Sequence, residues 1–227
     1  MGHTAAEWSI KVLNKLNDAT ELDVTADMVF TIGVRPALAQ YSIDRPRSAV
    51  VDLTPSGQYC ALPSAADGWV SDWSDISRIE APAGNTPPSR LDPGEWTRSR
   101  DTADASIEKI LLPFTLAAGE KARVFFTAAW PTPGDVAATD LVSDIAFEAV
   151  TSLAAALVCS TEAVSSATAR QGSLATGFVD GTERARNLLD VAAGLRVAYN
   201  TFIGLGTVAG QSGQSVSQRV LRSVKIG

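Results

Sequence analysis

Around residue 47 the apolar residues of this chain stop recurring at helical spacing, and near residue 135 they resume it. Between those points they follow the alternating pattern of short strands, with turns rich in Pro and Gly. That double switch constrains the fold more than any other feature. A strand-rich block interrupting a helical chain predicts an α+β protein. The first switch falls in Tyr41-Ser-Ile-Asp-Arg-Pro-Arg47. The residue before Pro46 is biased away from helical backbone, so a helix entering this segment ends by about Asp44.

The predicted organisation has four parts. Residues 1–46 are N-terminal helices of a bundle, and 47–134 an inserted, small antiparallel β domain. Residues 135–204 form a long antiparallel helix hairpin that completes the bundle, and 205–227 an extended tail. In the first part, Trp8, Val12 and Leu16 recur at four-residue steps, with Lys11 and Lys15 on another face. That is a short amphipathic helix. Thr25 is a candidate N-cap for a second helix running to Tyr41. Pro36 should kink or break that helix, because proline lacks an N–H and crowds the preceding turn.

Five or six short strands are expected in the middle block: Ala49–Leu53, Gln58–Leu62, Ile76–Glu80, Glu95–Arg100, Ile107–Leu112 and Ala122–Ala128. Pro55-Ser-Gly57 is a turn, and Ala81–Ser89 a loop. Four of the five tryptophans (Trp69, Trp73, Trp96 and Trp130) lie in the block and read as the large apolar side chains of a small sheet core. Beyond Pro131-Thr-Pro-Gly134, Thr139 is placed to cap a long helix with Leu141, Ile145, Ala149, Leu153 and Leu157 on one face. It runs to about Arg170, with Gly172 as its C′ residue. A second long helix, starting near Ser173 or Leu174, carries Phe178, Ala185, Leu188, Ala192, Leu195, Tyr199 and Phe202 and stops at Gly204 and Gly206. Each would be about 30 residues and hence about 45 Å long.

Gly204 to Gly213 reads as a flexible linker. The last segment, Ser215–Gly227, has Arg219, Arg222 and Lys225 and no acid, with Val220, Leu221, Val224 and Ile226 between them. The chain totals −6, so a +3 tail leaves −9 on the rest. Two readings stand: a disordered end, or a docking arm able to add to a neighbour's sheet edge.

Composition excludes more than it identifies. An acidic chain is a poor general nucleic-acid binder, since phosphate neutralisation supplies most of that affinity. Cys60 and Cys159 are far apart and read as buried thiols. No uninterrupted apolar run long enough to span a membrane occurs, and Met1–Leu16 has no secretory apolar region. The one histidine, His3, lies beside the N-terminus, which leaves no Ser-His-Asp, Cys-His or histidine-based zinc arrangement. Phosphate-binding glycine motifs are missing, and Gly210-Gln-Ser-Gly213 lacks the spacing of a nucleophile elbow. Asp72 with Asp75, and Asp101 with Asp104, read as solvated turn residues rather than a glycosidase pair. No enzyme activity and no cofactor is expected. Arg45 and Arg47 leave two readings open. They are solvated or locally paired charges, or they bind carboxylates of a neighbour or of the long helices and so fix the β block on the bundle.

Tyr41, Asp44, Arg45, Pro46 and Arg47 resemble the junction of tailed-bacteriophage head–tail adaptors, the neck or head-completion proteins. Leu62-Pro63, Ser77-Arg-Ile-Glu80 with Pro82, Pro87-Pro88, Leu91 and Trp96 resemble the middle of that family. Arg123-Val-Phe-Phe-Thr127 and Leu153-Ala-Ala-Ala-Leu-Val-Cys159 resemble its later part. The resemblance covers roughly Trp8 to Phe202 and rests on the order of motifs that are individually weak. It departs where a histidine would be expected after the last strand, near Trp130. It implies a structural virion protein, made in the host cytoplasm and placed in the neck. Such subunits form a ring, commonly a dodecamer, between the portal protein and the next neck or tail protein. DNA passes through the lumen without sequence-specific binding. Partner contacts would fall on Arg45 and Arg47 and on Arg219, Val220, Leu221, Arg222, Val224, Lys225 and Ile226. A tail-proximal connector or tail terminator fits the same features. A receptor- or glycan-binding β module on a helical stem is the alternative from another class.

Overall fold

The computed structural model describes residues 2–17, 22, 24–100, 108–134, 142–168 and 178–204. The chain is an α+β protein whose strand pairings are antiparallel. Helix α1 (Ala5–Asn17) buries Trp8, Val12 and Leu16, as their spacing dictates. Thr25 caps the next helical stretch by accepting a hydrogen bond from the Met28 N–H at 3.3 Å. Three segments then form one helical path: α2 (Ala26–Met28), a π-helical stretch (Val29–Val34) and α3 (Arg35–Asp44). Pro36 does not break this path. The wider π turn absorbs it instead: the Arg35 N–H donates five residues back, to the Phe30 carbonyl, so the ring meets a loosened ladder. The path ends at Asp44, where Pro46 requires.

Helix α4 (Asp144–Thr168) packs against α1, the π stretch, α3 and α5 (Phe178–Phe202). By length and composition α4 could cross a membrane, but 67% of that stretch is buried inside the protein, as a central core helix would be. Gly33 lets the π stretch approach closely. A Cβ there would lie 2.9 Å from a Val158 methyl and 3.0 Å from the Ala154 carbonyl oxygen. Ile145, expected inside, is 70% exposed. A four-residue step overshoots a helical turn by about 40°, so a stripe that is buried at Ala149 and Leu153 has rotated outward by Ile145. Phe202 likewise faces out, and Ile203 takes its place in the core. The expected cap at Thr139, the C′ residue Gly172, the helix start near Ser173 or Leu174, and the whole of 205–227 lie outside the described residues.

Among the described residues, seven strands build two sheets. The first has the order β1–β7–β3–β4, from β1 (Arg47–Leu53), β3 (Ile76–Glu80), β4 (Arg90–Leu91) and β7 (Ala122–Ala128). The second has the order β2–β6–β5, from β2 (Tyr59–Ala61), β5 (Thr97–Arg100) and β6 (Glu108–Leu111). Strand β7 alternates strictly, with Ala122, Val124, Phe126 and Ala128 inward. They meet Ile76 and Ile79 from the same sheet and Cys60 and Ile110 from the other in one apolar core. The helices enclose a separate core around Trp8, Val34, Leu38, Val150 and Tyr199. Trp69 belongs to the sheet core, with Trp96 packed against it. Trp130 does not: it packs against the helical core instead.

Candidate functional site

The first residue of β1, Arg47, pairs with the last of β7, Ala128. The chain therefore leaves α3 and returns toward α4 through one narrow gate, and the Tyr41–Arg47 segment is one side of it. Trp130 is the other side. Its backbone N–H donates to the Ser42 hydroxyl at 3.0 Å, and its indole N–H donates to the Arg45 carbonyl at 2.6 Å. The Ser42 hydroxyl in turn donates to the Leu38 carbonyl at 2.8 Å, so a buried polar atom is satisfied twice. The Tyr41 and Trp130 rings stand 5.8 Å apart.

Asp44 and Arg45 tie the gate to the end of α5. The Tyr199 hydroxyl donates to Asp44 Oδ2 at 2.5 Å, and Gln40 donates to Asp44 Oδ1 at 3.1 Å. Burial, with the Asp44 carboxylate as its acceptor, pushes the Tyr199 phenol well above its ordinary range and keeps it a donor. The Arg45 guanidinium donates to the Ile203 carbonyl. Arg47 donates to the Asp67 carbonyl at 3.2 Å. Beside it, Gly68 has φ +89°, and a Cβ there would sit 2.9 Å from Arg47 Nη2, so both backbone shape and space require glycine.

Both arginines therefore bind backbone carbonyls, and neither ion-pairs with a carboxylate among the described residues. Within the chain, backbone carbonyls stand where one of the two readings offered carboxylates of the long helices, and for Arg45 that carbonyl lies at a helix terminus. The last carbonyls of α5 lack helical partners and carry the negative end of the dipole, and Arg45 lies within reach of one. Arg219, Val220, Leu221, Arg222, Val224, Lys225 and Ile226 lie outside the described residues. Sequence reasoning missed Ser42, Asp44, Trp130 and Tyr199 as a set. A hydroxyl in the apolar stripe of α5 was the available signal, since a buried Tyr needs a partner.

Two clefts flank the gate. One, of about 220 Å³, is lined by Tyr41, Arg45, Ala146, Ala149, Phe202 and Ile203. The other, of about 360 Å³, is lined chiefly by Ile43, Val70, Trp73, Ala129 and Trp130. It is largely apolar, and Ile43 and Val70 are 58% and 42% exposed. Asp72 and Asp75 are exposed in the loop that supplies Val70 and Trp73. Among the described residues, no group of three or more His, Cys, Asp or Glu side chains is placed to hold a metal ion. Comparison with known proteins adds no family: no family model matches this chain, and no curated protein matches it.

Proposed function

We propose that this chain is a structural ring subunit of a tailed-bacteriophage neck. It is a head–tail adaptor, seated between the portal and the next neck or tail protein, that continues the DNA channel. The observation that carries this reading is an apolar face on α5 that none of the described residues covers. Leu189 and Val197 are 51% and 65% exposed, at positions i and i+8, with exposed Ala193 between them. A solvated helix face is normally polar, whereas an apolar one suits a repeated contact between identical subunits. Ala193 and the neighbouring Gly194 would let helix backbones approach closely.

The finer architecture fits this role. Ile203 lies by Ala146 and Ala149, while Arg196 donates to the Ser160 hydroxyl at 3.2 Å. These two contacts favour α4 and α5 as an antiparallel hairpin in a helical bundle, with the β block as an insertion through the gate. In this role the protein has no catalytic residue, cofactor or membrane contact. Arg45 and Arg47 act as internal fasteners. The −9 body presents an acidic lumen past which DNA slides, because repulsion opposes counterion-release binding. The +3 arm, with Arg219, Arg222 and Lys225, docks on the portal.

Mass photometry and negative-stain imaging across a concentration series test the reading. Closed rings with a central hole are expected. They should be lost in the Leu189→Asp, Val197→Asp double variant while its far-UV circular dichroism is unchanged. A wild-type chain that stays monomeric throughout, indistinguishable from the variant, overturns the ring.

A further inference from the structure

We infer that, in the free subunit, the groove formed by Ile43, Val70, Trp73 and Trp130 holds the C-terminal segment 219–226 of its own chain. Three observations converge on that occupant. The first is chemistry. The groove is apolar, and the segment supplies Val220, Leu221, Val224 and Ile226. Ile43 and Val70, more than two-fifths exposed in the described residues, are the surface that such a segment would cover.

Charge is the second. The loop from Ser64 to Asp75 holds Asp67, Asp72 and Asp75 and no Lys or Arg. Asp67 is engaged, its carboxylate accepting from the Ser64 N–H and hydroxyl at 2.9 and 2.7 Å. No ion pair occupies Asp72 or Asp75 among the described residues. The segment offers Arg219, Arg222 and Lys225 and no acid. Acids beside an apolar groove match bases interleaved with apolar side chains.

Reach is the third. The described chain ends at Gly204, where a Cβ would stand 3.4 Å from Arg45 Nη2. Arg45 is two residues from Ile43, and its carbonyl accepts the Trp130 indole N–H. The described chain therefore ends at the Arg45 side chain, in the cleft on the other flank of the gate, and Arg45 itself is hydrogen-bonded to the groove's Trp130. Fourteen residues separate Gly204 from Arg219, and a Gly- and Ser-rich tether of that length spans roughly 20 Å on average. A tether this short gives the segment a high effective concentration at the groove. The inference concerns a single chain and stands whether or not the ring reading does. Within that reading, the arm leaves the groove when it docks.

The full chain, with Val224 replaced by a benzophenone photocrosslinking amino acid, tests this. Irradiation should give an intrachain product whose fragments map to 39–43, 70–73 or 129–132. Neutralising the groove (Asp72→Asn with Asp75→Asn) should cut the yield by about fivefold at low salt and by little at high salt. Neutralising the segment (Arg219→Gln with Arg222→Gln) should do the same. Combining the two pairs should lower the yield no further than either alone, because each removes the same interaction. Asn is chosen at Asp72 because φ is +67° there, a conformation that Asn tolerates. Crosslinks to the free edge of β1, crosslinks between chains, no crosslink, or strictly additive losses would each overturn the assignment.

Discussion

At the scale of single residues, Gly33 marks the tightest approach in the helical core. Its missing Cβ leaves room for the Val158 methyl and the Ala154 carbonyl. Neither can swing away, one being β-branched and the other backbone. Gly33→Ala gains about 1 kcal/mol of helix propensity and loses more to overpacking. A net destabilisation of about 1–2 kcal/mol is expected, read as a lower urea midpoint at unchanged slope. The cysteines test burial from another side. Cys60 lies in the sheet core and Cys159 in the helical core, and burial pushes both thiols up to about 11. At pH 8 roughly one in a thousand would be thiolate, the reactive form. Neither should react with a disulfide reagent in the native protein, and both should react in denaturant. Fast labelling of either thiol in buffer would mean that its core opens locally.

At the scale of elements, strong periodicity was legible and short or drifting patterns were not. Trp8, Val12 and Leu16 announced α1, and six strands were placed within a few residues, because each carries a repeated pattern. Strand β4, two residues long, has no period to read. Pro36 reads as a kink or a break because its local cost is plain in sequence. Its relief by a π turn depends on α4 packing across the same stretch, which is a tertiary effect. The gate was half legible. The arginines stood out as charges, while their carbonyl partners carry no sequence signal. Between elements, Glu148 of α4 holds Lys11 and Lys15 of α1 at 2.6 and 3.0 Å. Burial alone would lift this carboxyl, but the hydrogen bonds from Lys11 and Lys15 outweigh it and hold the group below its ordinary 4.5. A carboxyl depressed in the folded state contributes stability above its unfolded pKa and loses it as pH falls through the folded value. Glu148→Gln should therefore cost about 1 kcal/mol at pH 7, a modest figure because the pair is partly solvated. The gap between wild type and variant should close as pH falls below the ordinary 4.5 and through the lowered folded value. A gap that is constant with pH would assign the loss to packing rather than charge.

At the scale of the whole molecule, two apolar cores meet at one gate, and their coupling determines whether the protein unfolds as one unit. The sheet core is the smaller and has its entry and exit strands paired at Arg47 and Ala128. Trp130 links the two cores, since it follows β7 yet packs on the helices and hydrogen-bonds to Ser42 and Arg45. Its placement also explains why a chain read as strand-rich from 47 to 134 has its last tryptophan in the other core. Removing that side chain forfeits packing and one hydrogen bond, about 2 kcal/mol for a partly buried site. The loss falls on the coupling between the cores more than on either core. Cys60 and Cys159 report on the two cores separately. In wild type both should become reactive at the same denaturant concentration, as one cooperative transition requires. In Trp130→Ala, Cys60 should react at a lower concentration than Cys159, because the sheet core would open while the helices stay closed. Trp130→Phe keeps a ring at the site and removes only the indole donor, so it should show a smaller separation. Coincident midpoints in Trp130→Ala would place the coupling elsewhere, for example in the bonds that tie the junction to the loop before β3, Arg47 to the Asp67 carbonyl and the Ala129 N–H to the Gly68 carbonyl.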